Sequence, residues 1–176
     1  MTQMAAVKHS IREFTPYVIN DRGYGLSFIL AFVDMVSTVL RMSGMTGLHL
    51  SPQVLIDAHC DDVPSCVALA TKKELGIQSI DTYPYIMVER PIEEWSESEY
   101  IAGVSKRYRI DDVKGLKTRH AVVIVGVDTT LEDPLMHHCE VKSSYGEQWG
   151  IGGFSRVGFE VFEYVLVPVY DLAVDT

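Results

Sequence analysis

The stretch that decides the fold reads "KTRHAVVIVGVD" at 117–128 and resumes as "EVKSSYGEQWGIGGF" at 140–154. His120 opens a run of alanine, valine and isoleucine with the composition of a strand. "HHCEVKS" at 137–143 reads as a second strand and leads into a turn of serine, glycine and large aromatics. A histidine at the mouth of a strand, facing such a turn, is a candidate acid–base in need of a group to activate.

Upstream of His120 the pattern is helical. "GLSFILAFVDMVSTVLRMSG" (25–44) places Leu26, Leu30, Val33, Val36 and Leu40 at three- and four-residue steps, and it is apolar nearly all round. That predicts a buried central helix stopped at Gly44. "SPQVLIDAH" (51–59) predicts a second helix with Ser51 as N-cap and Pro52 at its first position. "PSCVALATKKELG" (64–76) predicts a third, capped by Ser65 and ended by Gly76. Downstream, "FEVFEYVLVPVY" (159–170) reads as a further strand. The polar stretch 86–118 receives no assignment. Helices first and strands last argue an α+β class, without repeats or a linker, in one domain over 1–176.

Composition bounds the function. Of the 176 residues, 47% are hydrophobic and 22% charged, enough apolar content for a proper core. The net charge of −9 and the lack of a basic stripe argue against a nucleic-acid partner; "KRYR" at 106–109 runs straight into Asp111 and Asp112. The apolar segment Leu26 to Leu40 is interrupted by Asp34, Ser37 and Thr38 and is too short and polar for a membrane span. The opening "MTQMAAVKHSIREF" lacks the apolar run of a signal peptide. Cys60, Cys66 and Cys139 are an odd number without close pairing motifs, which suggests reduced thiols and a cytoplasmic setting. "HHC" at 137–139, with His59 and Cys60, has no structural-zinc spacing, so no metal is expected, and no cofactor. Glu93, Glu94, Glu97 and Glu99 read as a solvated surface.

Four blocks, in order, resemble the mature domain of papain-like cysteine proteases. "LSPQVLIDAHC" resembles that family's "LSEQELVDC", and "GIQSIDTYPY" its "GI…E..YPY". "HAVVIVGV" resembles "HAV..VGY", in which the histidine is the catalytic base, and "VKSSYGEQWGIGGF" resembles "VKNSWG..WGE.GY". The resemblance implies a helical lobe over about 20–85 on the central helix. It implies a shortened antiparallel β lobe over about 86–176 plus the N-terminal segment, with the cleft between the two. It would also imply a secretory or vacuolar setting and a propeptide, neither of which the residues above suggest.

The catalytic parts are changed. Where the family has "DQGSCGSCWAF" this chain has "DRGYGLSFILAF" (21–32), and no cysteine lies between Met1 and His59. Matching Asp21, Arg22 and Gly23 to "DQG" with one residue deleted puts Ser27 on the nucleophile, keeps Gly25, and puts Phe28 on the tryptophan that follows. An alternative alignment puts Leu26 on the nucleophile. The oxyanion glutamine falls on Arg22, the asparagine that orients the histidine on Ser143, and its shielding tryptophan on Tyr145. Trp149 lines the cleft floor by the same match. Only His120 stands as the family has it. A serine hydroxyl is a far weaker acid than a thiol, and losing one oxyanion donor typically costs about 100- to 1,000-fold in rate. Peptidase activity is therefore expected to be absent or vestigial.

Read without the family, His120 is a polar residue at a strand end and Ser27 a plain helix N-cap. Two functions follow: a scaffold that binds a peptide, protein or small molecule in the old cleft, or an enzyme repurposed around His120, with Ser27, Ser143 or Tyr145 as donors. A weak serine-type hydrolase using Ser27 is a variant of the second. Tyr85 and His120 are 35 residues apart, much closer than in the family. Such a deletion would leave a sheet edge, which invites a homodimer.

Overall fold

The structure, a computed structural model, describes residues 5–22, 25–60, 62–71, 76–86 and 120–168. The acidic run at 93–99, the basic cluster at 106–109 and most of the unassigned 86–118 stretch lie outside the described residues.

Helix α1 spans Ser27–Met42 and buries Ile29, Leu30, Phe32, Val33, Ser37 and Thr38. The buried Thr38 hydroxyl is satisfied within the helix, donating to the Asp34 carbonyl at 2.7 Å. Gly44 ends the helix at φ +97, and the Met45 amide folds back onto the Leu40 carbonyl at 3.1 Å. That conformation suits glycine, and the closure follows the expected stop.

Two helix starts differ from expectation. Helix α2 is Gln53–Asp57, so Pro52 occupies the N-cap rather than the first helical position. Ser51 still supplies the cap chemistry, its hydroxyl accepting from the Gln53 amide at 3.1 Å. Helix α3 is Val63–Ala70 and is capped by Asp62, not Ser65. The carboxylate of Asp62 accepts from the Ser65 amide at 2.8 Å while Ser65 sits at the third helical position of a capping box. An ionised Asp caps better than a serine placed inside the first turn. Gly76 lies past the helix end, which is at Ala70.

The α2 helix is buried throughout. Gln53 donates to Asp57 at 2.8 Å, and the Tyr83 hydroxyl donates to the other Asp57 oxygen at 2.7 Å. The Ile86 amide donates to Gln53 Oε1 at 2.9 Å. This network holds the chain at 83–86 against the helices and lets three polar side chains sit in the interior without an orphaned group.

The sheet is antiparallel with order β1-β2-β3-β4. Its strands are β1 Lys8–Ser10, β2 Val123–Asp128, β3 His138–Lys142 and β4 Phe154–Val157. The register shifts between Ile124 and Gly126, a bulge. A Cβ on Gly126 would lie 3.0 Å from the His9 carbonyl oxygen and 3.3 Å from Glu140 Cβ, so a side chain there would crowd both neighbouring strands and require them to give by a few tenths of an ångström.

The expected strand over 159–170 does not form among the described residues. A 3-10 turn takes Phe159–Val161, and no strand follows through Pro168. The strand that pairs with β3 is instead β4, brought back by the tight turn at 143–153. Val161, Tyr164, Val165, Leu166 and Val167 are each more than half exposed. Their composition suits a strand, but a strand also needs a neighbour, which composition does not supply.

Two apolar clusters result. The larger joins α1, α2 and α3 through Phe32, Val33, Leu55, Cys66 and Leu69. The smaller lies under the sheet and is built on Val123, Val125 and Phe154, with Ile11, Val18 and Ala31 packed against it. Ala31 belongs to α1, so this helix contributes to both. Lys142 on β3 is 1% exposed and reaches α1, its Nζ donating to Asp34 Oδ2 at 2.7 Å and to the Tyr17 carbonyl at 3.0 Å. No helix among the described residues is long and apolar enough to cross a membrane.

Candidate active site

The site forms where the head of α1 meets the approach to β2 and the turn after β3. His120 lies three residues before β2 begins at Val123, so it precedes the strand rather than opening it. Ser143 follows β3 directly, and its amide donates to the Gly153 carbonyl at 3.0 Å, closing the turn. Gly153 is required there: at φ +86 its backbone is left-handed, and a Cβ would come within 2.5 Å of Val18.

The His120 ring is fixed on two sides. Nε2 and the Ser143 hydroxyl are hydrogen-bonded at 2.9 Å. Tyr145 stacks face to face on the ring, with centroids 3.9 Å apart and planes 8° apart. Trp149 meets Tyr145 edge-on at 6.1 Å. The Tyr145 amide donates to the same Ser143 hydroxyl at 3.2 Å. Ser143 is 2% exposed while Tyr145 is 44% exposed, so the serine is a hidden support and the tyrosine an open wall.

Ser27 is the first residue of α1, not its N-cap; Leu26 holds that place, and no side chain caps the helix. The Ser27 hydroxyl accepts a hydrogen bond from the Ala121 amide at 3.3 Å. The two elements are thus brought together beside His120. No direct hydrogen bond joins the Ser27 hydroxyl to the His120 ring among the described residues; the hydroxyl accepts from the neighbouring amide. Leu26 and Phe28, both partly buried, pack against the helical cluster. Arg22 is exposed, with φ +50 and its amide bonded to Asn20 Oδ1 at 2.8 Å. Its side chain has no hydrogen bond to Ser27, His120 or Ser143 among the described residues. Gly25 is exposed at φ +72.

Burial lowers the His120 pKa below its ordinary value, and the nearby Asp21 carboxylate opposes this. Asp21 entered the sequence reading only as an alignment anchor and Asn20 not at all, yet they join the approach to α1 to the 143–145 turn. The Asp21 amide donates to the Ser144 carbonyl at 2.8 Å, and Asn20 bridges to Tyr145. The "DRG" wording around Asp21 was the available signal. The backbone amide of Ala121 carries none. Burial, then Asp21 and Tyr17, push the Tyr85 phenol up to about 12. No group of three or more His, Cys, Asp or Glu among the described residues could hold a metal ion.

No protein-family model matches the chain, and no curated protein matches it in sequence. Solved structures do match in shape. They include digestive procathepsin L2 proteinase from the larval midgut of Tenebrio molitor, at TM-score 0.62 and 17% identity over 88% of this chain and 63% of that one. Procathepsin L 3 from the same midgut matches at 0.61 and 16%, covering 88% of this chain and 65% of that one. The proform of Amb a 11, a cysteine protease and ragweed pollen allergen, matches at 0.61 and 17%, covering 89% and 61%. The chain spans less than two thirds of each of these proteins. Mixed helices and an antiparallel sheet, superposing on these proteinases, give the chain a papain-like fold.

Proposed function

We propose that this chain has given up proteolysis and uses the former active-site cleft to bind a partner, a peptide, protein or small molecule. The observation that carries this reading is the state of Ser27. It stands at the head of α1 beside the His120 segment, where the resemblance puts a nucleophilic cysteine, and its hydroxyl is engaged by the Ala121 amide. A peptidase of this design needs a thiolate with a histidine to take its proton. The three thiols of the chain, Cys60, Cys66 and Cys139, are all buried.

The test uses an epoxide inhibitor directed at active-site thiols, read by intact mass, together with hydrolysis of fluorogenic peptides. The expected result is no adduct in residues 25–30 and no turnover. Peptide hydrolysis abolished by His120→Ala would overturn the reading. Ser27→Cys alone should restore little activity, because Arg22 and Ser143 stay as they are.

A second reading, a repurposed enzyme with His120 as acid–base, has one observation in its favour. Burial holds the half-exposed ring towards its neutral form, as a base working near neutrality requires. The discriminating readout is turnover: an enzyme loses its rate in His120→Ala, whereas a binding module has no rate to lose.

A further inference from the structure

We propose that Ser143 holds His120 in the tautomer with its proton on Nδ1, so that the cleft presents hydrogen-bond donors and takes its ligand by an acceptor oxygen. The inference deepens the binding-scaffold reading and rests on it for the existence of a ligand.

The argument begins with the Ser143 hydroxyl, which has one proton to donate and two lone pairs. Among the described residues it has two polar neighbours, the Tyr145 amide at 3.2 Å and His120 Nε2 at 2.9 Å. An amide only donates, so one lone pair is spoken for. If Nε2 also donated, the hydroxyl proton would be left with no acceptor in a side chain that is 2% exposed. Buried polar groups are overwhelmingly paired. If the hydroxyl donates to Nε2 instead, every group is satisfied. Nε2 is then the acceptor, and in a neutral ring the proton sits on Nδ1.

Nδ1 has no hydrogen-bond partner among the described residues, and it is not one of the buried unpartnered atoms. It is therefore an open N–H. Ser27 adds a second donor: its oxygen accepts from the Ala121 amide, which leaves its own proton free to give. Two donors do not make a nucleophile–base pair, since the hydroxyl proton has no basic nitrogen to go to. They do match a carbonyl or carboxylate oxygen. An asparagine at 143 would act differently, because its carbonyl oxygen only accepts and would draw the proton to Nε2.

The experiment is a long-range nitrogen–proton NMR correlation of the His120 imidazole in the full chain, at a pH well above its titration and assigned by its loss in His120→Gln. The expected pattern has Nδ1 protonated and Nε2 bare, and Ser143→Asn reverses it. A protonated Nε2 in the unsubstituted chain overturns the proposal, whether or not the variant folds. Acetate, an acceptor only, should move the Nδ1 resonance saturably; methylammonium, a donor only, should not. No saturable acetate shift, or a shift by methylammonium alone, overturns the ligand class. Peptide turnover with Nδ1 protonated would sink the non-proteolytic reading and leave the tautomer standing.

Discussion

At residue 27 a hydroxyl and a thiol differ in more than acidity. The hydroxyl is a good acceptor and holds the Ala121 amide, tying the head of α1 to the segment that carries His120. A thiol accepts weakly, so Ser27→Cys exchanges a tether for a nucleophile that has no prepared surroundings. The neighbouring histidine yields a pH prediction. Its folded pKa lies below the ordinary 6.5 because the ring is partly buried. The unfolded chain therefore binds the proton more readily, and stability from this group is fully present above about 6.5 and lost as the pH falls through the lowered folded value. An NMR titration should place the His120 midpoint below 6.5, and His120→Phe should flatten the acid side of the stability profile measured in urea. A midpoint at or above 6.5 would contradict the burial account. Ser143, Tyr145 and Trp149 were legible in the sequence because they sit inside one worded turn, and His120 because it heads the worded run "HAVVIVGV". The partner of Ser27 was not, because a backbone amide has no letter of its own.

At the scale of elements, the Lys142–Asp34 pair is the polar pin between β3 and α1. Burial pushes Asp34 up to about 6 despite the lysine, and pushes Lys142 down despite the aspartate. Desolvation thus outweighs attraction at both ends. Asp34 contributes fully below its unfolded value of 3.8, and that contribution is lost as the pH rises through about 6. Removing one partner leaves the other charge buried alone. Asp34→Asn should therefore cost about 3–5 kcal/mol, whereas the double change Asp34→Leu with Lys142→Met should be neutral or stabilising by about 1–4 kcal/mol. Urea unfolding of the two variants separates these outcomes, and a single variant as stable as the parent would show that the pair is not desolvated. The same contrast explains what the sequence disclosed about the elements. Helix α1 announces itself through Leu26, Leu30, Val33, Val36 and Leu40, since a helix makes its own hydrogen bonds. The strand over 154–157 was passed over for the more apolar 159–170, since a strand is made by its neighbour, and Phe154–Val157 has β3 beside it. The start of α3 was misplaced because Asp62 lies two residues ahead of the "PSC" wording that drew attention.

At the scale of the molecule, the question is whether helices and sheet stand separately. Among the described residues the sheet cluster has three buried apolar residues, Val123, Val125 and Phe154, and its remaining cover includes Ala31 from α1. A small sheet needs packing against another layer for independent stability, and a core this size is far too small to fold alone. Among the described residues, polar links between the parts include Lys142 to Asp34, Lys142 to the Tyr17 carbonyl, the Asp21 amide to the Ser144 carbonyl, and the Ala121 amide to Ser27. Losing the helices would uncover the Lys142 charge and one face of Val125 together, so partial unfolding has no cheap intermediate. The expected behaviour is one cooperative transition. It can be followed by far-UV circular dichroism for the helices and by Trp149 fluorescence for the turn after β3, in a Trp95→Phe background so that one indole reports. Coincident midpoints in urea are expected, and Ser27→Ala should lower both together. A fluorescence midpoint that falls while the dichroism midpoint stays put would mean that the sheet is held by its own ladder and that α1 is merely its neighbour. The site would then sit on a joint able to open, whereas His120 and Ser143 on one side and Ser27 on the other keep a fixed spacing only if the two parts unfold as one.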